Sequence, residues 1–408
     1  MTMTLILIKT IPALSALALL VALHAASVQA AQPLQASRAG DQVPAALVNA
    51  PLPADGNDER QPLAFAWALD PAQPVTAGVP FTDVSRSYWQ QVDGAALQRG
   101  LDLPLTAPDA VIQLSPAPDA RALPASQLQV RDPAGRVGQA RAVEAADLQA
   151  AGMPVTTGST MLRTGADSPA GAYRLQSAQA QGRYVVQVLE PDSPVRLQVQ
   201  PGRMQVLAGE RLPVQVTLAD ERARATALAS RRRSLGGQAL LVAPDGRTWP
   251  QALRPGANGG LSAQVQIPAD SGAVQGLWEL QVFTQADGVL RDGKVAFAVA
   301  RPTARFAGQA TADAGTRRVA LPVQVAAAGR YEARGTLYAT AGDGQLRPVA
   351  QAHAAAWFGH AGRGELVLPF DQAALPSGYG APYELRHLQL QDQSRMAPIE
   401  SRGQALRF

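Results

Sequence analysis

The 408-residue chain has no cysteine, so any chemistry must start from its histidines, carboxylates, hydroxyls and guanidinium groups. His353, His360 and His387 all lie near the C-terminus. No two of them stand at the i, i+4 spacing with which a helix offers two imidazoles to zinc, and no thiolate is present to replace one. His360 and Glu365 flank the turn Ala361-Gly362-Arg363-Gly364, which reads as an end loop of a sheet. Ser159 sits in Thr157-Gly158-Ser159-Thr160 and lacks the flanking pattern of a nucleophile elbow. No phosphate loop or dinucleotide fingerprint occurs. The segment Asp287 to Asp292 lacks the ligand spacing of a calcium loop. Asp132-Pro133, Asp245-Gly246 and Asp287-Gly288 put carboxylates where turns favour them for backbone reasons. No cofactor and no metal is implied, and an enzyme is not expected.

Two groups of side chains remain. The first is the arginine cluster Arg222, Arg224, Arg231, Arg232 and Arg233. Guanidinium forks grip phosphates and carboxylates bidentately. An envelope component, an acidic protein or a glycolipid would suit such a cluster as partner; a solvated loop is the plain alternative. No aromatic residue is interleaved, which argues against nucleic acid. The second group is Tyr88, Trp89, Asp93 and Asp102, the site that an exported hydrolase would use in the N-terminal domain. Its plain alternative is a β-rich domain with Trp89 in the core.

The elements that would position these groups read as strands. Leu63, Phe65, Trp67 and Leu69 alternate with alanine, so one face of that strand is bulky. Val195, Leu197 and Val199 alternate with polar residues. So do Val214, Val216 and Leu218, then Leu261 to Ile267, then Trp278, Leu280 and Val282. A polar outer face suits antiparallel sheets with one face on a core. Asp245-Gly246 signals a hairpin, and Pro244 and Pro250 put its strands near an edge. Ala142 to Ala150 reads as a short helix stopped by Gly152.

The second half repeats itself. Leu212-Pro213-Val214-Gln215-Val216 recurs letter for letter as Leu321-Pro322-Val323-Gln324-Val325. Ile267-Pro268 is answered by Leu368-Pro369, and Trp278-Glu279-Leu280-Gln281-Val282 by Tyr383-Glu384-Leu385-Arg386-His387. Each offset is roughly a hundred residues, one domain length. Short strands in such a repeat predict tandem immunoglobulin-like antiparallel β-sandwiches. The fold class is therefore all-β, with a β-rich N-terminal domain and a short helix before the two sandwiches. Between its matched strands the first copy carries an extra alanine- and arginine-rich segment, Ala219 to Gly236, which reads as a helical turn or two.

One stretch also carries a resemblance. Trp89, Val92-Asp93-Gly94 and Leu97-Gln98-Arg99-Gly100 are followed by Ala107-Pro108-Asp109-Ala110-Val111-Ile112-Gln113-Leu114-Ser115-Pro116. This pattern resembles a domain-of-unknown-function family of uncharacterised exported bacterial proteins. The resemblance implies an N-terminal domain followed by two immunoglobulin-like domains, and no reaction. Asp109 stands where that pattern has glycine.

Lys9 precedes the apolar stretch Ile11 to Leu23, and Val28-Gln29-Ala30 offers a small-residue cleavage site. Residues 1–30 therefore read as a signal peptide. The expected layout is signal peptide 1–30, extended leader 31–62, β-rich N-terminal domain 63–192 and immunoglobulin-like domains 193–300 and 301–408. Periplasm or secretion is the expected location. No mature stretch approaches the ~18 apolar residues of a membrane helix. The net charge of +4, with 17% charged residues, is too small to signal a nucleic-acid partner. The expectation is thus an exported, non-enzymatic binding or interaction module.

Overall fold

A computed structural model describes residues 30–54, 59–76, 78–138, 140–144, 149–150, 155–221, 235–256, 259–272 and 276–408. Strands dominate, and the alternation seen in the sequence sets their faces. Val195–Pro201 buries every second residue, and so does Arg211–Asp220 as far as Val216. They form one sheet with Leu261–Gln266. The facing sheet runs Thr248–Gln251, Gly236–Val242, Trp278–Ala286, Val289–Ala300. Leu197, Val214, Leu241, Val265, Trp278 and Phe297 fill the space between. The hairpin expected at Asp245-Gly246 is present: Gly246 has φ 85°, and Ala243 N–H donates to Arg247 O at 2.9 Å. Its second strand, Thr248–Gln251, lies at the sheet edge.

The following unit pairs its strands in the same order. Arg318–Val325 lies between Ala304–Phe306 and Gly362–Pro369. Leu346–Phe358, Gly329–Ala341, Tyr379–Asp392 and Ala397–Arg407 make the facing sheet. The two copies of Leu-Pro-Val-Gln-Val therefore hold equivalent central positions. So do Trp278–Val282 and Tyr383–His387, each between the first strand of the preceding hairpin (Gly236–Val242 or Gly329–Ala341) and the strand that follows it in the chain. The repeated letters mark repeated packing.

Upstream, a third core gathers Tyr88, Leu97, Leu103, Ile112, Tyr184 and Val186. The six-residue helix Gly94–Arg99 is capped by Asp93, whose carboxylate accepts from Ala96 N–H at 2.7 Å. Asp109 has φ 59°, the left-handed conformation that glycine adopts without cost, and its carboxylate holds Arg163.

Three stretches differ from the sequence reading. Arg141–Glu144, which overlaps the start of the segment read as a helix, is a strand paired with Thr160–Arg163; Gln149 and Ala150 at that segment's end are helical, and 145–148 lie outside the described residues. Helix propensity is worth under ~1 kcal/mol per residue, and a strand ladder outweighs it. Leu63–Ala68 does not pair within the N-terminal β-rich region; it adds to the edge of Leu346–Phe358. The described leader residues are held at several points on the C-terminal sandwich. Ala30–Pro33 pairs with Gln309–Asp313, and Gln42 bridges to Ser401. Arg395 donates to Ala50 O and Pro51 O, and Arg330 to Glu59 O and Gln61 O. The C-terminal sandwich is therefore built from both ends of the chain.

The N-terminal and middle sheets are continuous through the pairing of Ser87 with Asp292. Among the described residues, no helix is long and apolar enough to cross a membrane.

Candidate functional site

Residues 1–29 and the arginine cluster Arg222, Arg224, Arg231, Arg232 and Arg233 lie outside the described residues. The N-terminal group is described, and its members do not converge. Tyr88 points into the core and donates to Pro104 O at 3.3 Å. Trp89, next on the strand, points the other way and is 40% exposed. The core position anticipated for Trp89 is thus wrong; its ring packs edge-on against Phe283 at 5.3 Å. Asp93 is occupied as a helix cap, and Asp102 is exposed on the strand Leu101–Leu105. Ser159 is buried, its hydroxyl 2.9 Å from that of Ser115. Asp287 and Gly288 both take positive φ and form the turn between Trp278–Ala286 and Val289–Ala300. Among the described residues no three His, Asp or Glu side chains are grouped to hold a metal ion.

The structure instead assembles a cluster on the outer face of the C-terminal sheet. Along Leu63–Ala68 the alanines share the face opposite Phe65 and Trp67; Ala66 is half-buried on the core, and Ala64 and Ala68 are exposed at the edge. Their pairing partners Ala350, Ala352 and Ala354 are buried. Small side chains fill the thin space beneath this edge, so the bulky set faces water. Phe65 is 38% exposed and Trp67 41% exposed. His353 joins them from the neighbouring strand. Its ring lies 5.2 Å from Phe65 and 5.1 Å from Trp67, near-parallel to both.

His353 is oriented from both sides. Its Nδ1 meets the Glu332 carboxylate, and its Nε2 lies 3.1 Å from Gln351 Nε2. Burial pushes the Glu332 carboxyl up, but the hydrogen bond and charge of His353, with help from Gln393 and Arg334, outweigh it. Glu332 therefore sits below the ordinary glutamate range. Arg334 Nε donates to Gln389 Oε1 at 2.9 Å, carrying the polar network one strand further. At the far side, Gln389 and Ser401 help line a cleft of about 480 Å³ with Arg203, Met204 and Pro80. No sequence signal announced this site except the alternation of large residues with alanine at 63–69; periodicity separates two faces without saying which is wet.

A second cluster is fully buried and lies where the N-terminal and middle units meet. Arg291 and Glu190 side chains are both 0% exposed and pair at 2.6 Å. Arg291 also donates to Thr106 Oγ1, Ser193 Oγ and Val195 O. Glu190 accepts from the Ala107 N–H at 3.0 Å and from that of Thr106. On the opposite face, Asp292 accepts from Trp89 N–H at 2.6 Å, and Asp83 accepts from Lys294 N–H at 3.0 Å. Each unit thus offers a carboxylate to the other's backbone. Burial first, and the nearby Asp83 charge, push Asp292 up to about 6 against the pull of Trp89 N–H. All these partners are consumed in holding the seam, so the cluster is structural.

Comparison with known proteins places this architecture. Residues 54–190 match the family model described as the N-terminal domain of a domain of unknown function, DUF4785. Residues 303–408 match the C-terminal domain of the same family. The chain belongs to the DUF4785 family. A crystal structure of a DUF4785 family protein from Legionella pneumophila is 19% identical, with a TM-score of 0.61 over 88% of this chain and 98% of that one. At that identity the likeness is one of fold. Two alpha-2-macroglobulins align more weakly. The one from Escherichia coli is 14% identical, with a TM-score of 0.21 over 73% of this chain and 22% of that chain. The one from Salmonella is 12% identical, with a TM-score of 0.20 over 84% and 24%. These two carry no argument about this DUF4785 protein. No curated protein matches the chain.

Proposed function

We propose that this protein is an exported, non-catalytic binding module of the bacterial envelope that contacts its partner through the outer face of the C-terminal sheet. The observation that carries the reading is the exposure of Phe65 and Trp67 beside His353. Aromatic side chains lose little freedom on binding and are the residue types that dominate contact energies. Here they sit on a rigid sheet rather than a loop, with Glu332 and Gln351 fixing the imidazole. Export rests on Lys9, the apolar stretch Ile11 to Leu23 and the cleavage site ending at Ala30. The module reading further takes the chain as a β-rich unit and two sandwiches, divided near residues 193 and 301.

The test is the binding of the purified mature chain to fractionated bacterial envelopes. Trp67→Ala and Phe65→Ala are expected to lose at least tenfold in affinity at unchanged melting temperature. Undiminished binding by both variants would overturn the assignment of this face. Replacing Arg231, Arg232 and Arg233 by alanine separates the other candidate surface: a loss there, with the aromatic variants intact, would move the contact to the arginine segment.

A further inference from the structure

The outer face has an organisation that points to a class of ligand. Phe65, His353, Arg334, Gln389 and Ser401 lie opposite one another on five successive strands. At a strand spacing of about 4.8 Å the row spans roughly 19 Å, perpendicular to the strands. One end is the aromatic cluster. The other is the cleft of about 480 Å³ that Gln389 and Ser401 share with Arg203, Met204 and Pro80. Ligand sites commonly enclose about 300–1,000 Å³. The row is thus a track with an apolar landing at one end and a recess at the other.

The charges on this track are matched within it. Glu332 pairs with His353 and is stabilised by Arg334. Towards the far edge, Arg386 pairs with Glu384 at close range, while Arg402 and Glu400 pair on the opposite face of the sheet, where Glu400 accepts from Phe306 N–H. What is left for a ligand is aromatic surface and the amides of Gln351, Gln389 and their neighbours. An anion would meet carboxylates, and a cation would meet guanidinium groups. A molecule that alternates apolar C–H faces with neutral hydroxyls satisfies both kinds of surface. C–H groups carry slight positive charge and are attracted to the negative face of an aromatic ring, while hydroxyls exchange hydrogen bonds with amides.

We infer that the outer face of the C-terminal sheet binds a linear, uncharged polysaccharide laid across the strands, with sugar rings on Phe65 and Trp67 and the chain running over Arg334 and Gln389 towards the cleft. This inference rests on the proposed function and names its ligand class. A chain several sugar rings long is needed to reach from one end of the track to the other, so affinity should rise with oligosaccharide length up to that span.

Affinity electrophoresis of the full mature chain tests it, with hydroxyethyl cellulose, glucomannan and dextran as neutral polymers and alginate as the charged control. At least one neutral polymer is expected to retard the protein and alginate is not. Trp67→Ala and Phe65→Ala should weaken the retardation at least tenfold, and Gln389→Ala severalfold. Trp89→Ala, an equally exposed tryptophan on another unit, should leave it unchanged. Circular dichroism and melting temperature confirm that the variants are folded. Retardation that survives Trp67→Ala, or retardation by alginate alone, would overturn the inference. Failure of all three neutral polymers, with Trp67-dependent binding to envelope fractions intact, would reject the polysaccharide and leave the binding function standing.

Discussion

Arg291 and Glu190 are a hundred residues apart in sequence and wholly enclosed where two units meet. A buried charge is tolerable only while its partner and hydrogen bonds are in place. Arg291→Met strands the Glu190 carboxylate, and by analogy with broken buried pairs it should cost about 3–5 kcal/mol. Denaturant unfolding of the full chain checks this. The double variant with Glu190→Gln should recover part of the loss, whereas strictly additive effects would show that the two groups do not act together. Asp292, one residue on, makes a different prediction. Its carboxyl is raised from 3.8 to about 6 in the fold, chiefly by burial. A raised acid favours the folded state most when protonated, so its contribution is full below about pH 4 and is lost as pH rises through about 6. Asp292→Asn should flatten the fall in melting temperature between those values. An unchanged slope would place the titration elsewhere.

At the scale of elements, the strap made by the described leader residues 30–54 and 59–61, with the strand Leu63–Ala68, lies against the C-terminal sandwich. Arg395 ties Asp392, which is fully buried, to the carbonyls of Ala50 and Ala328. Arg395→Ala removes the cation from a buried carboxylate and frees the strap at Ala50 and Pro51 in one step. Limited proteolysis should then cut between residues 48 and 61 at least tenfold faster than in the parent chain; equal rates would mean that the strap is held by its strands alone. These elements also show what the sequence carried. Alternation located the strands Val195–Pro201, Arg211–Asp220 and Trp278–Ala286, because a half-buried strand must alternate. Letter repeats located equivalent strands in two sandwiches, because equivalent packing selects similar residues. Partners across nearly three hundred residues left no trace, since the period of Leu63–Ala68 states its two faces and not its neighbour. Ala142–Glu144 misled because alanine and glutamate favour helices intrinsically, and the ladder with Thr160–Arg163 reverses that preference there, while Gln149 and Ala150 keep it.

At the scale of the whole molecule, the described residues form three cores with unequal coupling. The N-terminal and middle units share a sheet through Ser87 and Asp292 and a buried network around Arg291. The C-terminal sandwich is closed instead by the chain's own beginning, through Ala30–Pro33 and Leu63–Ala68. Hydrogen exchange should therefore report the first two units opening together. Arg291→Met should accelerate exchange in Ser87–Asp93 and Val289–Ala300 alike, while Tyr379–Asp392 stays protected. The same closure fixes the aromatic strand on the outer face, which is why the candidate site was only half legible. Its large residues stood out at 63–69, but their exposure follows from the alanine-lined edge they join. The most direct measurement of the central claim is side-chain oxidation footprinting with and without a bound envelope fraction. Trp67 and Trp89 are matched reporters, 41% and 40% exposed. Protection of Trp67 and Phe65 with Trp89 unchanged is the predicted result; protection of Trp89 with Trp67 still oxidised would contradict it.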